Sequence, residues 1–129
     1  MKVNEIFYSL QGEGRWTGTP AIFIRLSGCN LRCDFCDTKH QTYKEFAEEE
    51  IMREIAKFEP CKHIVITGGE PSLQLTDSFI NFLVGCGYYV AVETNGTRQL
   101  PVGIRWITCS PKFEFCPKAE IELDCIDEL

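Results

Sequence analysis

An α/β domain with a mostly parallel sheet is what this sequence predicts, on three observations. Its strand-like segments are continuous apolar runs, stretches of helical period separate them, and turns bearing Gly or Pro bound them. The run 21–26 (AIFIRL), between Gly18-Thr19-Pro20 and Ser27-Gly28, is the first strand. Residues 44–58 form an amphipathic helix, with Phe46, Ala47, Ile51, Met52, Ile55, Ala56 and Phe58 on one face, Glu48, Glu49, Arg53, Glu54 and Lys57 outside, and Pro60 after its end. Residues 63–67 (HIVIT) are the second strand, and 73–84 a second helix carrying Leu75, Phe79, Phe82 and Leu83. Residues 88–93 (YYVAVE) are a third strand and 105–109 (RWITC) a fourth. Strands of this kind joined by helices build right-handed βαβ units in a sheet covered on its faces, and ligands collect at the strands' carboxyl ends.

The 129 residues carry 19 Asp plus Glu against 13 Lys plus Arg, a net charge of −6. A chain of this length buries a core without covalent staples, and no repeat or linker divides it, so a single domain over 1–129 is expected. Its 8 cysteines are sparser than in a disulfide scaffold, and Met1-Lys2-Val3-Asn4-Glu5 lacks the apolar core of a signal peptide. A reducing cytoplasm is therefore expected, where clustered cysteines bind metal. No stretch approaches the ~20 apolar residues of a membrane span. The acidic balance argues against a broad electrostatic grip on nucleic acid.

Directly after the first strand come Cys29, Cys33 and Cys36 in a CxxxCxxC spacing. A loop this short can turn three thiolates toward one point, which suits a 4Fe-4S cluster whose fourth iron stays open to a ligand. The competing arrangement adds His40 as a fourth ligand and closes a structural zinc site. Cys61, Cys86, Cys109, Cys116 and Cys125 are scattered among apolar neighbours and read as buried free thiols.

CxxxCxxC after the first strand, with Gly68-Gly69-Glu70-Pro71 after the second, resembles the radical S-adenosylmethionine superfamily. Within it the segment 7–14 (FYSLQGEG), Cys36-Asp37-Thr38, Glu93-Thr94-Asn95-Gly96 and Cys109-Ser110-Pro111-Lys112 resemble the 7-carboxy-7-deazaguanine synthase family. That resemblance implies a lyase of queuosine and deazapurine biosynthesis. It would cleave S-adenosylmethionine with a reduced 4Fe-4S cluster, take hydrogen from 6-carboxy-5,6,7,8-tetrahydropterin, contract its ring with loss of ammonia, and require Mg²⁺. It also implies an open, partial (β/α) barrel of the radical SAM type. The family continues beyond Leu129 through further strands, so the barrel here is expected to be C-terminally shortened. Four strands cannot close a barrel, and an exposed sheet edge favours a homodimer. A flavodoxin- or ferredoxin-type reductant is implied, with the acidic balance suiting such an anionic partner poorly unless a local basic patch exists; Lys39, His40 and Lys44 beside the cluster loop could form one.

The resemblance assigns Cys29, Cys33 and Cys36 to the cluster and Thr38 to Mg²⁺, a hard cation that keeps oxygen ligands. It places Gly69, Glu70, Thr94, Asn95, Ser110 and Lys112 around S-adenosylmethionine, where glycines let the main chain approach a ligand closely. Leu10, Gln11, Gly12, Glu13, Arg25 and Thr67 would hold the pterin. Glu can accept two N–H bonds from an aminopyrimidine edge, and the fork of Arg matches a carboxylate. Arg25 also interrupts an apolar run, where a charge is costly unless paired.

Overall fold

The computed structural model describes residues 1–12, 14–28, 43–110 and 126–127. Its strands are β1 (Lys2–Leu10), β2 (Pro20–Leu26), β3 (Lys44–Glu45), β4 (His63–Thr67), β5 (Tyr89–Thr94) and β6 (Trp106–Cys109), and its helices α1 (Glu48–Ala56) and α2 (Asp77–Gly85). They make one six-stranded sheet in the order β3-β1-β2-β4-β5-β6. β2, β4, β5 and β6 run parallel, while β1 and β3 are antiparallel additions at one side. A linear order with two ends is an open sheet, as expected.

Three expectations change, the second helix among them: it begins at Asp77 rather than at residue 73, after a separate 3-10 turn at Pro71–Leu73. Strand β1 was not predicted, because its nine residues mix Val3, Ile6 and Phe7 with Lys2, Asn4 and Glu5, and most stay at least partly exposed. Long-range pairing with β2 supplies what the local pattern lacks, from Val3↔Leu26 to Leu10↔Pro20 across a register shift between Val3 and Glu5. Helix α1 begins four residues later than the hydrophobic period suggests, since Lys44 and Glu45 pair with Val3 and Lys2 as an edge strand. The helix starts where the Glu50 side chain accepts from the Ala47 N–H at 3.1 Å, with Glu48, Glu49 and Glu50 in a first turn that favours negative charge.

Both faces of the sheet are covered, as expected. Ile51 and Ile55 of α1 and Phe79, Ile80 and Leu83 of α2 join Ile22, Ile24, Ile64, Ile66, Val90 and Val92 in one core. Both helices therefore cover the same side. On the other side Ala21, Phe23, Val65 and Ala91 form a second cluster with Phe7, Tyr89 and Trp106, and Trp16 from the turn after β1 packs on Tyr89 and Trp106. Among the described residues, the parallel strands look apolar throughout because the Trp16 turn helps to cover their other face.

Both sheet edges are blunted among the described residues. β3 is two charged, exposed residues. At β6 the Ile107 N–H donates to Asp127 Oδ2 at 2.8 Å, and the Asp127 N–H donates to the Ile107 carbonyl at 2.9 Å. Helix α2 is capped by Thr76, whose Oγ1 accepts from the Phe79 N–H at 3.2 Å. Thr76→Ala should lower stability by about 1 kcal/mol, seen as a reduced urea midpoint at constant slope. An unchanged midpoint would mean that water caps the helix equally well.

Candidate active site

Strand register organises the face opposite α1 and α2 into rows. Phe7, Phe23, Val65, Ala91 and Trp106 stand side by side as an apolar row. The next row toward the carboxyl ends of the parallel strands is polar. Glu5 pairs with Arg25, Arg25 with Thr67, and Glu93 with Thr108, while Thr67 Oγ1 donates to Glu93 Oε1 at 2.7 Å and joins the two halves.

Each charge in that row has a partner. Arg25 Nη1 donates to Glu5 Oε1 at 2.7 Å, and its guanidinium carbon lies 5.5 Å from the centre of the Phe7 ring, itself stacked on Phe23 at 5.1 Å. The interruption of the apolar run is thus paired and only partly exposed. From the end of β1, Gln11 Nε2 reaches Glu93 Oε2 at 3.4 Å. A cavity of about 380 Å³ is lined by Phe7, Ser9, Leu10, Gln11, Gly12, Phe23, Arg25, Thr67 and Glu93. Five of the six predicted pterin contacts therefore meet in one place; the sixth, Glu13, lies outside the described residues.

A smaller cavity of about 170 Å³ shares Gln11 and Glu93 and extends to Trp16, His63, Trp106 and Ser110. His63 stacks on Tyr89 at 4.9 Å, and burial pushes its pKa below the ordinary 6.5. The unfolded chain then takes up a proton that the folded chain resists. Stability is lost as pH falls through about 6.5, and the loss levels off below the folded-state value. His63→Gln should flatten that fall, measured as urea midpoints from neutral to mildly acid pH. An identical pH slope in the variant would assign the fall to other groups.

The ends of the four parallel strands are tied to one another by a chain of hydrogen bonds. The Glu70 N–H donates to the Gly28 carbonyl at 2.7 Å. The Glu70 side chain, 1% exposed, accepts from four donors: Asn95 N–H at 2.7 Å on Oε1, and Ser72 N–H at 3.1 Å, Ser72 Oγ at 2.5 Å and Thr94 Oγ1 at 2.5 Å on Oε2. The Ser110 N–H donates to the Thr94 carbonyl at 2.8 Å. Gly69, Glu70, Thr94, Asn95 and Ser110 are thereby brought together. Gly69 needs to be glycine: its φ is +43° and a Cβ would stand 2.3 Å from the Gly28 carbonyl oxygen.

Cys29, Cys33, Cys36, Thr38 and Lys112 lie outside the described residues, as do Lys39 and His40. The stem that leads to Cys29 is described, and Gly28 touches the Gly68–Gly69 turn. A cluster on the three cysteines and an amino acid held against Gly69 would be neighbours, with side-chain-free main chain between them. The described residues fit that pair of groups in this respect. Of the scattered cysteines, Cys109 is buried as expected, Cys61 is only half-buried and Cys86 is exposed at the end of α2, while Cys116 and Cys125 lie outside the described residues. Glu93 is the site residue the sequence reading missed. Its signal is a charge ending an apolar strand, as Arg25 interrupts another.

The family model of the Radical SAM superfamily matches residues 23–105. A 7-carboxy-7-deazaguanine synthase of Bacteroides thetaiotaomicron is 58% identical over 86% of this chain and 60% of its own. One from Halobacterium salinarum is 43% identical over 95% of this chain and 50% of its own. Among solved structures, QueE from Escherichia coli superposes with a TM-score of 0.82 at 32% identity, over 93% of this chain and 63% of that one. The chain thus spans 50 to 60% of the length of these two synthases. With the matched region running from β2 to the start of β6 and the open sheet shared with a solved structure, the chain belongs to the radical SAM superfamily.

Proposed function

We propose that this chain carries the activity named in its relatives: radical conversion of 6-carboxy-5,6,7,8-tetrahydropterin to 7-carboxy-7-deazaguanine with loss of ammonia, for queuosine and related deazapurines. The observation that supports it is the polar row. Arg25 and Glu93 stand on strands two apart, with Thr67 between them, which separates their backbones by roughly 10 Å. A flat bicyclic ring with a carboxylate at one end and an N–H-rich edge at the other suits that span. Arg25 takes the carboxylate bidentately, and Glu93 with Gln11 and Glu13 takes the aminopyrimidine edge. Leu10 and Gly12 wall the pocket, and Thr67 keeps the Glu93 carboxylate facing it.

When bound, a 4Fe-4S cluster with S-adenosylmethionine supplies the hydrogen-abstracting radical. Cys29, Cys33 and Cys36 would hold that cluster, Thr38 would meet Mg²⁺, and Gly69, Thr94, Asn95, Ser110 and Lys112 would surround S-adenosylmethionine. Glu70 acts by fixing the turn that approaches the ligand, since its oxygens already accept from Ser72, Thr94 and Asn95. The enzyme would be cytoplasmic and draw electrons from a flavodoxin- or ferredoxin-type protein. A homodimer would have to use a surface other than the blunted edges. Among the described residues no helix is long and apolar enough to cross a membrane.

The test is anaerobic incubation of reconstituted protein with dithionite, S-adenosylmethionine, Mg²⁺ and the carboxytetrahydropterin, with mass spectrometry of the products. 7-Carboxy-7-deazaguanine is expected. Release of 5′-deoxyadenosine and methionine alone would keep the radical machinery and mean that the pterin is not the substrate or that further chain is needed to close its site. A colourless protein that retains zinc and no iron would instead establish the zinc site with His40.

A further inference from the structure

Arg25 is held from three directions by this chain. Glu5 Oε1 accepts from its Nη1 at 2.7 Å, the face of Phe7 lies 5.5 Å from its guanidinium carbon, and Gly68 leaves no more than the room its stem needs, since a Cβ there would stand 2.2 Å from Arg25 Cγ. Glu5 opposes Arg25 across β1 and β2 and begins the polar row. It does not line the cavity that Arg25 enters.

We infer that Glu5 is a positioning residue for ligand specificity. By holding one edge of the guanidinium against β1, it leaves the remaining N–H groups presented to the cavity in one orientation, so that a ligand carboxylate meets a fork already aligned. This rests on the reading of Arg25 as the carboxylate partner. The stability of the fold is a weak explanation for the pair, because the two side chains are 38% and 46% exposed and exposed ion pairs contribute little to folding. Preorganisation is the stronger one: a long, flexible side chain fixed before binding loses less freedom on binding.

The experiment compares binding of two fluorescent, unreactive probes to the reconstituted protein, pterin-6-carboxylate and pterin, which share the rings and differ in the carboxylate. Wild type should prefer the carboxylate-bearing probe. Glu5→Ala should shrink that preference by roughly tenfold, an ordinary size for coupling between neighbours, while leaving pterin binding and the urea midpoint unchanged. Glu5→Gln keeps an oxygen in place and should restore part of the preference. A preference in Glu5→Ala equal to or greater than that of wild type would overturn the inference, the greater one because Glu5 would then compete with the ligand. Absence of any preference in wild type would sink the reading of Arg25 itself and this inference with it.

Discussion

Gly69→Ala is expected to strip the protein of its cluster. The added Cβ would meet the Gly28 carbonyl oxygen at 2.3 Å and the Gly28 nitrogen and carbon at 3.0 Å. These are main-chain atoms, so no side chain can swing aside. The left-handed φ of +43° adds its own strain for any residue with a Cβ. Relief requires the Gly28 stem and the turn to part, which breaks the 2.7 Å bond between the Gly28 carbonyl and the Glu70 N–H and displaces the residue that precedes Cys29. Iron retained after reconstitution and desalting should fall sharply, along with the visible absorbance. Gly87→Ala is the control: its φ of +90° is also left-handed, but its Cβ would find open space. It should cost about 1–2 kcal/mol of stability and leave iron binding intact. Full iron content in Gly69→Ala would show that the turn and the cysteine stem are independent.

Glu70 substitutions should be nearly as damaging, and the amide should not rescue the acid. Four donors meet the two oxygens, and two of those donors are main-chain N–H groups, Asn95 on Oε1 and Ser72 on Oε2. Hydroxyls can rotate to accept, but an N–H cannot. Glutamine must therefore point its NH₂ at one main-chain donor whichever way its amide lies. We expect Glu70→Gln to cost about 1–3 kcal/mol for the donor left unsatisfied, and Glu70→Ala about 2–5 kcal/mol with a buried void added. Both should weaken S-adenosylmethionine binding, measured by equilibrium dialysis against reconstituted protein. Wild-type affinity in Glu70→Gln would mean that the turn keeps its shape without the carboxylate.

Much of the architecture was legible in the sequence because the parallel strands announce themselves. Residues 21–26, 63–67, 88–93 and 105–109 are apolar runs, and each appears in the sheet within a residue of its expected bounds. β1 was illegible because its stability is held by pairing with a strand beyond a turn, and its own pattern has one fully buried residue, Val3. Periodicity reports that Phe23, Val65 and Ala91 avoid water, not which segment excludes it. At the site, residues named by the family resemblance came together in space: Gln11, Arg25 and Thr67 on one cavity, Glu70 and Thr94 in one network. Glu5 and Glu93 escaped notice because their meaning is relational. Each is an ordinary carboxylate until register sets it beside Arg25 or Thr67.

The placement of both helices on one side also divides each central strand between two kinds of selection. Along β4, Ile64 and Ile66 answer only to the helices, while His63, Val65 and Thr67, which alternate with them, answer only to the face that meets the cavities. Neighbouring codons thus evolve under unrelated demands. A lineage could retool every second position for a different ring system while the intervening isoleucines go on specifying the same protein, which is how one scaffold can host many chemistries.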